Sequence, residues 1–149
     1  MIKFENITKK YKDKAVLDGI NLKIQGREFV SIIGPSGAGK TTLLHVLLGT
    51  LKPSKGRVEI DDIAITKLSH KDLHALRRKI GIISQDDMLL PEKTVQENVA
   101  FALEVSGFKS AYIKSKANEV IGLVGLSEYK KYFPRQLSAG ERKKTAIAR

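Results

Sequence analysis

Cysteine is absent from all 149 residues. That excludes a disulfide framework and any thiolate metal site, and it suits a reducing compartment. Long apolar runs are missing too. The longest, Val99 to Leu103, is five residues, against the roughly 20 that a membrane-spanning helix needs. Met1 leads straight into strand-like sequence, so neither a crossing nor a targeting segment is expected. The three histidines, His45, His70 and His74, show no metal spacing with carboxylates and read as packing or surface residues. Internal repeats, low-complexity tracts and flexible linkers are also lacking. The length fits one domain by the usual size prior, and a folded chain of this size buries roughly 68 to 70% of its unfolded surface.

Positive charge is abundant. Lys and Arg number 27 against 16 Asp and Glu, a net charge of +11. From Lys109 to Arg149 ten basic residues face three acidic ones, so the excess is concentrated in the last quarter. Such a balance fits an anionic partner, nucleic acid or a lipid surface, but a solvated Lys-rich face is the preferred reading.

Short alternating stretches, "IKFENITKKY" and "INLKI", predict antiparallel β structure, with Ile20, Leu22 and Ile24 on one face. "EFVSIIG" is a denser apolar run that predicts a strand buried on both faces, and "KIGIIS" predicts a second. Between them "KTTLLHVLLG" has helical spacing with Gly49 as its C-cap. Pro53 and Gly56 mark a turn before "RVEI", and Asp61 with Asp62 reads as another. Helix starts are signalled by Ser69 with Asp72, Thr94 with Glu97, and Ser138 with Glu141. A further helix fits Ala111 to Val124.

The stretch "GPSGAGKTT", Gly34 to Thr42, meets the spacing G-x-x-x-x-G-K-[ST] at Gly34, Gly39, Lys40 and Thr41. Between and after those positions lie Pro35, Ser36, Gly37, Ala38 and Thr42. The glycines let the backbone curl close to phosphate, and successive N–H groups with the positive end of the following helix replace the water contacts a polyphosphate loses. Lys40 is placed to reach the β- and γ-phosphates of ATP, and Thr41 to offer its hydroxyl to Mg²⁺. A strand before and a helix after are the context this chemistry requires.

The cradle alone serves kinases, GTPases and ATPases. With "LSAGE", Leu137 to Glu141, and the basic helix "RKKTAIAR", the sequence resembles the ATP-binding subunit of ABC transporters, whose signature is usually L-S-G-G-Q. Ala139 stands in place of a Gly and Glu141 in place of a Gln. The resemblance implies that Ser138, Ala139, Gly140 and Glu141 face ATP held by the opposite subunit of a homodimer. It also implies that Gln85, after "KIGIIS", contacts Mg²⁺ and the attacking water, and that Tyr11 stacks on adenine. On its own, Tyr11 reads equally as a half-exposed strand tyrosine. The fold implied is an α/β P-loop NTPase of ABC type, with a parallel core sheet, an N-terminal antiparallel β subdomain and an α-helical subdomain. Residues of about 1–93 and 138–149 would form the core and β subdomain, and about 94–137 the helical one, which docks on a permease-like membrane partner. That places the chain peripherally on the cytoplasmic face of the membrane. Most of the sequence is closest in wording to the cell-division branch of the family, although Ser84 and Asp87 stand where that branch carries aromatics. Branches for lipoprotein release, macrolide export and methionine import share much of the wording.

The strand ending in a metal-binding Asp and a water-polarising Glu does not follow "LSAGE". The resemblance therefore implies an N-terminal portion of a nucleotide-binding domain, without the hydrolytic base and marginally folded by itself. Soluble ABC ATPases that act on nucleic acid are the competing class, but no second cassette or aromatic-rich binding strand supports them.

Overall fold

Asn6 interrupts the alternation of the first strand. Phe4 and Ile7, three positions apart, both reach the core because Asn6 adopts a left-handed φ of 49° and the ladder register shifts between them, as a bulge requires. In the computed structural model all residues, Met1–Arg149, are described, and they fall into two compact units, Met1–Ile80 and Gly81–Arg149.

The first unit is built on one antiparallel sheet of order β2-β1-β3-β4, with β1 Ile2–Tyr11, β2 Lys14–Ile24, β3 Lys55–Ile60 and β4 Ile63–Ala64. Asp61 and Asp62, both at positive φ, form the two-residue turn joining β3 to β4, a geometry that matches the twist of the strands it connects. The turn expected at this dyad is therefore present. Gly56 lies inside β3 instead of in the turn expected before it. A Cβ there would stand 2.3 Å from the Asn6 carbonyl oxygen, so close approach of β1 dictates glycine. Helix α1, Lys40–Leu47, lays Leu43 and Val46 against Phe4, Ile7, Leu17 and Val58. Burial of each such side chain stabilises the unit by about 1.5–3 kcal/mol before entropy is counted. Helix α2, His70–Arg77, is capped by the Ser69 hydroxyl, which accepts the Asp72 N–H at 3.2 Å.

The two strands expected to be buried are not. Residues 28–34 and 79–84 belong to no sheet. Phe29 is 96% and Ile33 92% exposed, and Ile82 and Ile83 are also exposed. A parallel strand takes its ladder from neighbours on both sides. None of the four strands formed by these residues runs alongside either stretch, so their apolar character stays without cover. In the first unit an apolar groove of about 350 Å³ opens between β2, residues 30–33 and α1.

The second unit is helical: α3 Val95–Val105, α4 Ser110–Leu123 and α5 Ala139–Ala148. Its core is Val95, Val99, Ala117, Ile121, Leu126 and Leu137. Thr94 with Glu97 and Ser138 with Glu141 each form the reciprocal capping box their spacing predicts. The unit boundary falls at Ile80, not near residue 93. Residues 138–149 pack with the helices because Leu137 and Ala148 join the helical core.

Candidate functional site

The cradle sits between residue 33 and the start of α1. Gly37 and Gly39 hold φ of 78° and 88°, conformations that other residues adopt only at a cost. At Gly39 a Cβ would meet the Val16 carbonyl oxygen at 2.7 Å and Leu17 at 3.0 Å. The loop is thus pressed against β2 at its last residue, which fixes where α1 begins. Gly39 is the N-cap of α1 and no side chain caps that helix. The first backbone bond into it runs from the Leu43 N–H to the Gly39 carbonyl at 2.9 Å, leaving the N–H groups of Lys40, Thr41 and Thr42 for an acceptor from outside. An anion is the natural one.

Lys40 arches back over the loop, its ammonium donating to the Gly34 and Pro35 carbonyls at 2.7 Å each. No carboxylate shares those contacts, so the cation is held in place by neutral oxygens and its charge is not cancelled. Thr41 is exposed on the first turn. Gly34, Pro35, Ser36 and Ala38 are exposed along the loop. These residues fit a polyphosphate and its Mg²⁺: two left-handed glycines, three uncommitted N–H donors, an uncancelled ammonium and a hydroxyl. Tyr11, at the end of β1, is half-exposed, and the Lys9 ammonium stands over its ring 5.3 Å from the centre, on one face.

The remaining expected residues lie in the second unit. Gln85 is exposed in the loop Ser84–Met88. Ser138, Ala139 and Gly140 are exposed at the start of α5. Its first backbone bond is from the Arg142 N–H to the Ser138 carbonyl at 3.0 Å, and the Glu141 N–H goes to the Ser138 Oγ at 3.3 Å. The Ala139 and Gly140 N–H groups remain for an outside acceptor. Glu141, the charged departure from the usual signature, turns back: its carboxylate accepts the Ser138 N–H at 2.7 Å. That backbone bond is the main cause holding the Glu141 carboxyl below its ordinary 4.5, and the Ser138 and Tyr129 hydroxyls act in the same direction. Tyr129, facing this anion, has its phenol pushed up. The carboxylate stays ionised but is turned back onto the cap, with its oxygen committed to the Ser138 N–H.

Two features escaped the sequence reading. Asn98 is fully buried in α3 and fastens the preceding turn through four bonds to Leu90, Lys93 and Thr94. Its signal was a polar residue flanked by Val95 and Val99 on the apolar side of the helix. The other is the set of contacts from the basic residues of α5 to the Gln85 loop, visible in sequence only as a seven-residue spacing between Arg142 and Arg149.

Known proteins share this arrangement. The family model described as ABC transporter matches residues 17–149. The cell division ATP-binding protein FtsE of Streptococcus pneumoniae is 41% identical over the whole chain, which spans 65% of its length. The lipoprotein-releasing system ATP-binding protein LolD of Bacteroides thetaiotaomicron is 44% identical, again over the whole chain and 69% of its own. Among solved structures, the dimeric ATP-binding cassette MJ0796 in a post-hydrolysis state bound to ADP and Pi superposes with a TM-score of 0.89 at 36% identity, covering 99% of this chain and 68% of that one. A cradle built on left-handed glycines, a capped signature helix and matches of this extent are mutually consistent, and by them the chain belongs to the ABC transporter family, with the α/β P-loop fold of its ATP-binding cassettes.

Proposed function

We propose that this chain supplies the nucleotide-binding face of an ABC-type ATPase. ATP with Mg²⁺ binds at Gly34–Thr42, and the signature Ser138–Glu141 closes on nucleotide held by a second copy. The observation that carries the reading is the cradle: Lys40 uncancelled by any carboxylate, beside three N–H groups at the head of α1 with no acceptor in the protein. Lys40 neutralises the β- and γ-phosphates, the Thr41 hydroxyl would hold the metal, and Tyr11 stacks on the base. The metal contributes further charge neutralisation on the phosphates when bound. Equilibrium titration with Mg²⁺ and ATP tests this. Lys40→Ala should lose about 1.5–3 kcal/mol of binding, the contribution of a charge-assisted bond. Unchanged affinity in a folded variant would refute the assignment.

The partner is an integral-membrane protein of permease type, and the chain acts peripherally on the cytoplasmic face. No helix of the chain is itself long and apolar enough to cross a membrane. Within the family, a cell-division subunit of the FtsE kind with an FtsX-like partner is our first reading, and the 41% identity over the whole chain is consistent with it. The comparable identity to LolD supports lipoprotein release as the second reading. Loss of the gene separates them. Filamentous, undivided cells support the first reading, whereas normal division with lipoproteins retained in the inner membrane supports the second.

A further inference from the structure

The densest ionic contacts of the second unit join α5 to the loop that carries Gln85. The Lys143 ammonium donates to the Ser84 carbonyl at 2.6 Å and the Gln85 carbonyl at 3.3 Å, and stands 3.6 Å from Asp87 Oδ1. Arg142 Nε lies 3.5 Å from Asp87 Oδ2. Arg149 donates to the Met88 carbonyl at 2.6 Å and to the Asp87 carbonyl at 3.3 Å. Arg142 and Arg149 share one face because seven residues are two helical turns. Met88 holds a φ of 50°, a conformation disfavoured for a side chain of its kind, and it is at Met88 that Arg149 grips the backbone. Adjacent cations at 142 and 143 repel each other. The single carboxylate of Asp87, only 22% exposed, offsets that repulsion.

We propose that Asp87, Arg142, Lys143 and Arg149 form an electrostatic latch that ties residues 84–88 to α5, making them positioning residues for Gln85. With the latch closed, Gln85 and Ser138 are carried by one rigid element, because Ser138 caps the same helix that holds the Gln85 loop. A nucleotide that engages either residue then displaces both. This consequence rests on the nucleotide reading of Gln85 and Ser138; the latch itself does not, and it is tested without nucleotide.

The absence of cysteine makes a single spin label possible. Asp86 is exposed and outside the latch, so Asp86→Cys carries a nitroxide whose mobility reports the loop, and Ser115→Cys on the exposed side of α4 serves as reference. At 0.1 M salt, adding Asp87→Asn should raise the mobile-to-immobile ratio at position 86 about two- to fivefold, as for loss of a partly exposed ion pair. Asp87→Glu should restore the immobile signal. Raising salt to 1 M, where the screening length falls to about 3 Å, should loosen the loop of the unaltered latch and leave the Asp87→Asn form unchanged. Packing alone would not respond to salt in this way. Equal mobility with and without Asp87, or the same salt response in both, would overturn the latch. So would a parallel rise at position 115, which means that the unit loosens as a whole. Should Asp87→Asn fail to fold, the salt series on the Asp86→Cys protein and Lys143→Met decide the matter in the same terms. Loss of ATP binding in none of the cradle variants would refute the nucleotide reading and leave the latch standing.

Discussion

Replacing Asn98 with alanine should destabilise the helical unit by about 3 kcal/mol. The side chain is fully buried. Its Oδ1 accepts the Leu90 N–H at 2.8 Å, and its Nδ2 donates to the carbonyls of Lys93 at 2.8 Å, Leu90 at 3.1 Å and Thr94 at 3.1 Å. Two amide hydrogens serve three carbonyls, so one bond is shared and about three full bonds are at stake. At a net contribution near 1 kcal/mol each, with the larger penalty falling on a donor left without an acceptor, the sum is roughly 3 kcal/mol. For a protein of this size that lowers the melting midpoint by about 6 to 12 °C. Denaturant melts followed by circular dichroism measure it directly. Asn98→Asp makes a sharper test. It keeps the acceptor for Leu90 but faces three carbonyls with a carboxylate, so at neutral pH it should be at least as damaging as alanine. Burial and the facing carbonyls raise that carboxyl above its ordinary range, so it should recover in part as pH falls through the raised value, where a protonated carboxyl can donate again. A loss under about 1 kcal/mol for both variants, or an aspartate variant as stable as the parent at pH 7, would refute the account of Asn98 as the fastener of residues 90–94.

Acid should weaken the same unit through its caps. The Thr94 N–H holds the Glu97 carboxyl below its ordinary 4.5, as the Ser138 N–H does for Glu141. A depressed carboxyl stabilises the fold above its unfolded value and loses that contribution as pH falls through the folded one, so stability should decline below about pH 4.5. Glu97→Gln with Glu141→Gln should flatten that decline in pH-dependent melts; an unchanged profile counts against the caps as its source. Gly39→Ala should lower affinity for ATP with Mg²⁺ at least about tenfold, because a left-handed alanine costs roughly 1–2 kcal/mol before the contact with Val16 is relieved; titration at matched stability reads it, and parent-like affinity refutes the close approach. Gly56→Ala should destabilise the sheet by about 3 kcal/mol or more, since the Asn6 carbonyl must move, whereas a thermal melt like the parent's would mean that the strand absorbs the methyl. Phe29→Lys with Ile33→Lys should suppress light scattering by the 149-residue chain without lowering its melting midpoint, because both side chains face solvent; unchanged scattering would place the association elsewhere.

Local rules wrote much of this protein directly into its sequence. The cradle spacing from Gly34 to Thr41, the three cap pairs and the turn at Asp61–Asp62 each depend on residues within a few positions of one another, so they were legible without the fold. Hydrophobic pattern alone misjudged residues 28–34 and 79–84. It reports that a stretch wants neighbours, not whether any strand runs beside it, and ladder partners are a property of the assembled sheet. Tertiary structure likewise brought the Tyr129 hydroxyl beside the Glu141 carboxylate. It decided why Gly56 must be glycine, through a carbonyl about fifty positions away in β1. And it alone brought Asp87 between Arg142 and Lys143, because charges separated by more than fifty residues meet only when packing has set their distance.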